Sequence, residues 1–194
     1  RDRLPANACW NLVDYLPDLD APLTKRGGWS YGSADISATT ATASYVMAGA
    51  YAPFSAASKN CCIDEDGRLY TIASGGAVTD IGAAVICLSL AFHRDKLIIP
   101  HGTGAAAPKY YDGTTLGNLA GSPPSAKYVT VYKDRTVLAS TSAQPNRIYF
   151  SGAGDPTSWN TTDGWIDISF QVNGLASMRN ALLCFSAQKV ERVR

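Results

Sequence analysis

Few residues in the chain could do chemistry, and their neighbours limit what each can do. Gly28-Trp29-Ser30-Tyr31-Gly32 matches G-x-S-x-G, the turn that lifts a nucleophilic serine above an α/β-hydrolase sheet. Such a turn needs an apolar strand before it and a helix after it. Thr24-Lys25-Arg26 precede it here, and a run of small residues from Ser33 to Ser44 follows, so Ser30 is not read as a nucleophile. His93 and His101 are the only histidines, and a triad would need one of them as its base. His93 falls in a turn that recurs along the chain, with Tyr132 and Met178 at the matching places, which marks a structural position. His101 closes the run Leu97-Ile98-Ile99-Pro100 and has no nearby partner set.

The other candidates reduce to structure in the same way. Asp64-Glu65-Asp66-Gly67 contains the acids of a calcium loop, but Arg68-Leu69-Tyr70 begins a strand at once. An EF-hand loop would continue to its twelfth residue, so a solvated hairpin turn is expected. Asn160-Thr161-Thr162 is a glycosylation sequon, meaningful only in a secreted eukaryotic chain. Gly75-Gly76 lacks the lysine and helix of a phosphate loop. Cys9, Cys61, Cys62, Cys87 and Cys184 form no CxxC pair and no His/Cys metal spacing. Most lie in apolar runs, where a reduced thiol acts as a small hydrophobe. No catalytic residue, metal site or cofactor is expected.

Composition narrows the classes further. Hydrophobic residues make up 46% and charged residues 17%, with a formal net charge of +1. That is a globular chain without the clustered cations needed to grip nucleic acid or an anionic membrane. The longest apolar run, Ile81 to Phe92, has the length of a buried strand and falls well short of a membrane helix. The chain opens at Arg1 with neither Met nor a signal-peptide pattern, as a trimmed piece of a longer protein would.

What must position these residues is a β-repeat. Helical periodicity is nearly absent, and short β-branched and aromatic runs alternate with Gly, Pro, Asn and Asp. His93-Arg94-Asp95-Lys96-Leu97-Ile98-Ile99 resembles Tyr132-Lys133-Asp134-Arg135-Thr136-Val137-Leu138, and Met178-Arg179-Asn180-Ala181-Leu182-Leu183-Cys184 follows. Each is a polar turn leading into an apolar strand, and a second strand follows each one, at Lys109–Tyr111, Arg147–Ser151 and Val190–Val193. A divergent copy lies upstream around Asn60–Ile63 and Arg68–Ile72. Spacing of about forty residues is the period of a propeller blade, and a blade contains four antiparallel strands. The third unit shows all four, at Lys127–Tyr132, Arg135–Ser140, Arg147–Ser151 and Trp165–Phe170. The second offers Ala84–Phe92, Lys96–Ile99, Lys109–Tyr111 and a weak run near Thr115–Leu119. The fourth has three, near Leu175, at Ala181–Phe185 and at Val190–Val193.

The stretch Asn146 to Trp159, NRIYFSGAGDPTSW, therefore opens as the third strand of its blade. Its Gly residues and Asp155-Pro156 are read as turn chemistry connecting to the outer strand, with Trp159 capping the side of the blade. The fold expected is all-β: a β-propeller or part of one, with four-stranded antiparallel blades over 43–194 and a mostly irregular arm over 1–42. The arm carries Trp10, Tyr15, Leu16, Trp29 and Tyr31 among prolines. This apolar load suits contact with a neighbouring surface or packing back over the arm's own blades. A strand around Trp29-Ser30-Tyr31, after the charged turn Lys25-Arg26, could complete a blade. The preferred reading is that it completes a later blade, formed by residues past Arg194 or by a second chain, rather than closing a four-bladed ring.

Several phrases occur together: Asn11-Leu12-Val13-Asp14, Pro22-Leu23-Thr24-Lys25-Arg26-Gly27-Gly28-Trp29, Asp66-Gly67-Arg68-Leu69-Tyr70, Tyr110-Tyr111-Asp112-Gly113 and NRIYFSGAGDPTSW. In this order the chain resembles tailed-bacteriophage virion proteins built as β-propellers, of the tail-hub, nozzle or head-to-tail stabilisation type. The resemblance implies a structural, non-enzymatic role in the virion. Its partners would be other tail or connector proteins and copies of itself in a symmetric assembly, with no nucleic-acid readout and no membrane contact. The alternative is a carbohydrate-binding or sialidase-like propeller. Ser151 to Trp159 does not follow the S-x-D-x-G-x-x-W order of a sialidase Asp box, and a glycosidase would need paired carboxylates in a cleft.

Overall fold

The computed structural model describes residues 46–73 and 77–193, together with two short strands, β1 (Tyr15–Leu16) and β2 (Thr24–Lys25). The chain divides into two compact units, Arg1–Ser33 and Ala34–Arg194. In the first, β1 and β2 pair antiparallel, Tyr15 opposite Lys25 and Leu16 opposite Thr24. Lys25 thus lies in a strand, where a charged turn is expected from the sequence.

The second unit is all-β among its described residues. Its first sheet runs β3 (Val46–Pro53), β4 (Ser58–Asp64), β5 (Arg68–Ile72), β6 (Val78–Ala83). The second runs β7 (Ala91–His93), β8 (Lys96–Ile99), β9 (Lys109–Tyr111), β10 (Leu116–Asn118). The third has β11 (Ala126–Tyr132), β12 (Arg135–Thr141) and β13 (Arg147–Gly152), with β14 (Asp155–Trp159) and β15 (Trp165–Asp167) both pairing β13. The fourth comprises β16 (Gly174–Met178), β17 (Ala181–Phe185) and β18 (Val190–Val193). All pairs are antiparallel. The four sheets are the blades of a four-bladed β-propeller, with β3 beside β7, β7 beside β11, and β11 beside β16.

The repeat read from the sequence is the repeat of the structure: Cys62, Ile98, Val137 and Leu183 all lie in the second strand of their blade. In the second and third blades those strands are apolar in consecutive positions because both of their faces are covered. Side chains alternate across a strand, so Leu97 and Ile99 join Cys61, Ile63 and Leu69 of the first blade, while Ile98 joins Val129 and Leu138 of the third. Val137 and Ala139 point the other way and meet Leu182 and Cys184 of the fourth. Phe54 completes the first seam, edge-on to Phe92 at 5.2 Å and to Tyr111 at 5.5 Å between ring centres.

Two places differ from the sequence reading. The apolar run Ile81 to Phe92 is not one strand. β6 ends at Ala83 and β7 starts at Ala91, and the chain between them is tied to turns instead. The Ala84 amide donates to the Gly67 carbonyl at 2.8 Å, and the Ile86 carbonyl accepts from the Gly102 amide at 2.7 Å. Gly67 is required there, since its φ is +76° and a Cβ would lie 2.6 Å from the Ile86 amide nitrogen. The second difference is that Asp155–Trp159 is a strand, β14, and not only a connection. It folds back on β13 with a register shift at Ser151/Gly152. Gly121, at φ +83°, lets the chain entering the third blade pass under it: a Cβ there would fall 1.5 Å from the Thr157 carbonyl oxygen. Trp159 packs into the seam with Ile98 and Leu138, the capping place expected for it.

The seams set the stability. Leu182→Ala, which empties a fully buried position between the third and fourth blades, should cost about 2–5 kcal/mol in denaturant unfolding. Met178→Ala, on the same blade but 60% exposed, should cost less than about 0.5 kcal/mol.

Candidate functional site

Blades meet through their first turns as well as through their cores. Arg94 and Asp95 both have positive φ, as do Lys133 and Asp134, so each pair forms a two-residue hairpin turn of the mirror-image class. Non-glycine residues resist that conformation, although Asp tolerates it. In both turns the Asp carboxylate reaches back to the preceding blade. Ser55 donates to Asp95 from its amide at 2.7 Å and from its hydroxyl at 2.5 Å. Arg94 donates to both oxygens of Asp134, from Nε at 3.0 Å and from its terminal nitrogen. His93, 4% exposed, lies between them, with Nδ1 2.8 Å from Thr136 Oγ1 and Nε2 3.2 Å from Asp134 Oδ1. The Arg94 guanidinium, with His93 beside it, holds the Asp134 carboxyl below its ordinary range, and Ser55 does the same for Asp95. His93 is thus a joint between blades, in keeping with its place in the repeat.

The remaining sequence candidates separate from one another. His101 Nδ1 sits 2.7 Å from the Thr103 hydroxyl in its own loop. Asp64 is in the expected hairpin turn but is not solvated: it is buried and accepts from the Arg68 amide at 2.8 Å and the Tyr70 hydroxyl at 2.9 Å. Cys61, Cys62, Cys87 and Cys184 are free and buried. Burial pushes Cys87 up to about 12 and the other three up to about 11, so they are protonated and unreactive at neutral pH. Ser30, Trp10, Trp29, Tyr31 and Cys9, and the side chains of Tyr15 and Leu16, lie outside the described residues. Among the described residues no group of His, Cys, Asp and Glu could hold a metal ion.

A concave feature that sequence reasoning missed is made by the fork in the third blade. Arg147 to Tyr149 pair with β15, and Ser151 and Gly152 pair with β14. The sheet splits at Phe150, whose amide donates to the Gly164 carbonyl at 2.9 Å. A groove of about 530 Å³ opens there, bounded by Tyr132, Arg135, Phe150, Asn160, Trp165 and Val193. Its volume is in the range of small-molecule sites. Trp165 is fixed by Arg147, which stacks 3.4 Å from the ring centre and grips Asp167 through two hydrogen bonds of 2.7 and 2.9 Å. The Ser151 hydroxyl accepts from the Thr136 amide and donates to the Gly152 carbonyl, both at 2.9 Å. A sequence signal for the groove existed in the two short runs Asp155–Trp159 and Trp165–Asp167, each strand-like and each carrying a Trp.

No protein-family model and no curated protein matches the chain. Among solved structures it is similar to the computationally designed Ika4 protein, with a TM-score of 0.53 at 16% identity, covering 77% of this chain and 91% of that one. It is also similar to BamB from Moraxella catarrhalis, with a TM-score of 0.51 at 10% identity, covering 68% of this chain and 38% of that one. At these identities the likeness is one of fold. Neither is a phage protein.

The turn joints predict a pH dependence. A carboxyl held below its ordinary value of 3.8 stabilises the fold above that pH and loses its contribution as the pH falls through it. Asp134→Ala should lower the melting temperature at pH 7, and the gap from wild type should narrow below about pH 4. Melting curves at pH 7, 5 and 3 check this.

Proposed function

We propose that the protein is a structural component of a bacteriophage virion, in the tail or head-to-tail region, and that it acts through protein–protein assembly contacts. The observation that carries this reading is the last blade. Among the described residues β18 pairs with β17 alone, and its own Val190 is 60% exposed. An open strand edge beside apolar surface is a template for another chain. The ordered likeness of the KRGGW arm and NRIYFSGAGDPTSW to phage propeller proteins gives the context. Partners are then other tail or connector proteins and further copies of this chain in a symmetric assembly. His93 and Ser151 are both taken up by hydrogen bonds within and between the blades.

Gold-labelled antibody against the chain should decorate purified tailed particles that carry its gene, at the tail or the head-to-tail junction. Labelled host cell extract with unlabelled particles would contradict the reading. Deleting residues 1 to 20 should leave the β-rich circular dichroism spectrum intact yet reduce the yield of complete particles. Loss of the folded core in that truncation would instead mean that the arm serves its own blades.

A further inference from the structure

We propose that the fork of the third blade is a binding site for a saccharide bearing a carboxylate. The site holds whether or not the chain is a virion component, because it rests on the groove alone. Lys133 and Arg135 both line it, and among the described residues neither has a carboxylate partner. Arg135 uses one terminal nitrogen on the Ser151 carbonyl, at 2.7 Å, which fixes the guanidinium and leaves its other donors for a ligand. Lys133 lies over the Tyr132 ring, its Nζ 5.1 Å from the centre. Two exposed cations on one wall, without acids of their own, call for an anion with two acceptor oxygens.

The rest of the groove asks for more than an anion. Tyr132 is 7% exposed, and its buried hydroxyl has no hydrogen-bond partner among the described residues. That hydroxyl is closed off from solvent, so Tyr132 is not counted among the groups a ligand would touch. The lining also includes Asn160 and Asp163, bonded to each other, and Trp165, one ring face of which is covered by Arg147. Asp163 would repel a second negative charge, but it accepts readily from hydroxyls. An aromatic wall between hydrogen-bonding groups fits a pyranose ring, whose C–H face is apolar and whose edge is polar. One carboxylate for Lys133 and Arg135, hydroxyls for Asn160 and Asp163, and a ring face for Trp165 together describe an acidic sugar.

The test uses the full chain and three probes, D-glucuronate, D-galacturonate and N-acetylneuraminate, with D-glucose and an acidic tetrapeptide for comparison. Binding is read by calorimetry and tryptophan fluorescence. At least one acidic sugar should bind saturably with a Kd of about 1 mM or tighter. Arg135→Gln and Lys133→Gln should each weaken it about tenfold or more, and Lys189→Gln, on the fourth blade, should leave it unchanged. The exposed Lys133 variant keeps the test valid if Arg135→Gln disturbs folding. Absence of saturable binding by all three acidic sugars would overturn the proposal. So would equal binding of glucose, preference for the peptide, or binding that both variants leave intact.

Discussion

The two middle blades each depend on a strand that is apolar on both faces. In an ordinary antiparallel sheet one face is wet and the sequence alternates. Here the second strands of the second and third blades lie between two neighbours, so Leu97-Ile98-Ile99 and Val137-Leu138-Ala139 are apolar without a break. Adjacent residues in each triplet enter different seams. A one-residue slip in register would exchange the two seams, and volumes fitted to one neighbour would face the other. The polar joints at Asp95 and Asp134 lie beside these seams, where strained turns and inter-blade hydrogen bonds fix the register from the end of the hairpin.

The same constraint explains where the chain departs from a regular repeat. In the first two blades the outer strand is single, but in the third β13 must serve both β14 and β15. β14 turns toward the second-blade seam, where Trp159 joins Ile98 and Leu138. Ile168 and Val172, just past β15, enter the opposite seam with Leu182 and Cys184. The sheet is drawn to both sides, and the fork groove is the space left between. The candidate binding site is therefore a consequence of packing two seams from one blade, rather than an insertion added to it.

Much of this could be read in the sequence. The turn-plus-apolar-strand pattern at His93, Tyr132 and Met178 located three second strands, because two-sided burial writes a continuous signal into few residues. The third strands were legible too, as in Arg147-Ile148-Tyr149-Phe150. The break between Ala83 and Ala91 was not, since Cys87 is as buried as a strand residue while the backbone before it, at Ala84 and Ile86, is tied to turns. Nor was β14, where Gly152, Gly154 and Pro156 read as a turn although a bulge lets the chain continue as a strand. The groove was hidden for a related reason: Tyr132, Arg135, Asn160 and Trp165 come from four elements whose meeting depends on the fork.

The central claim is that adjacent residues of one strand belong to different seams, and a double-mutant cycle tests it directly. Ile98→Ala and Leu138→Ala share the seam between the second and third blades, so their stability losses should be non-additive, with a coupling of about 0.5 kcal/mol or more. Leu97→Ala belongs to the seam with the first blade and should add to Leu138→Ala within about 0.5 kcal/mol. Coupling of Leu138 to Leu97 rather than to Ile98 would contradict the account.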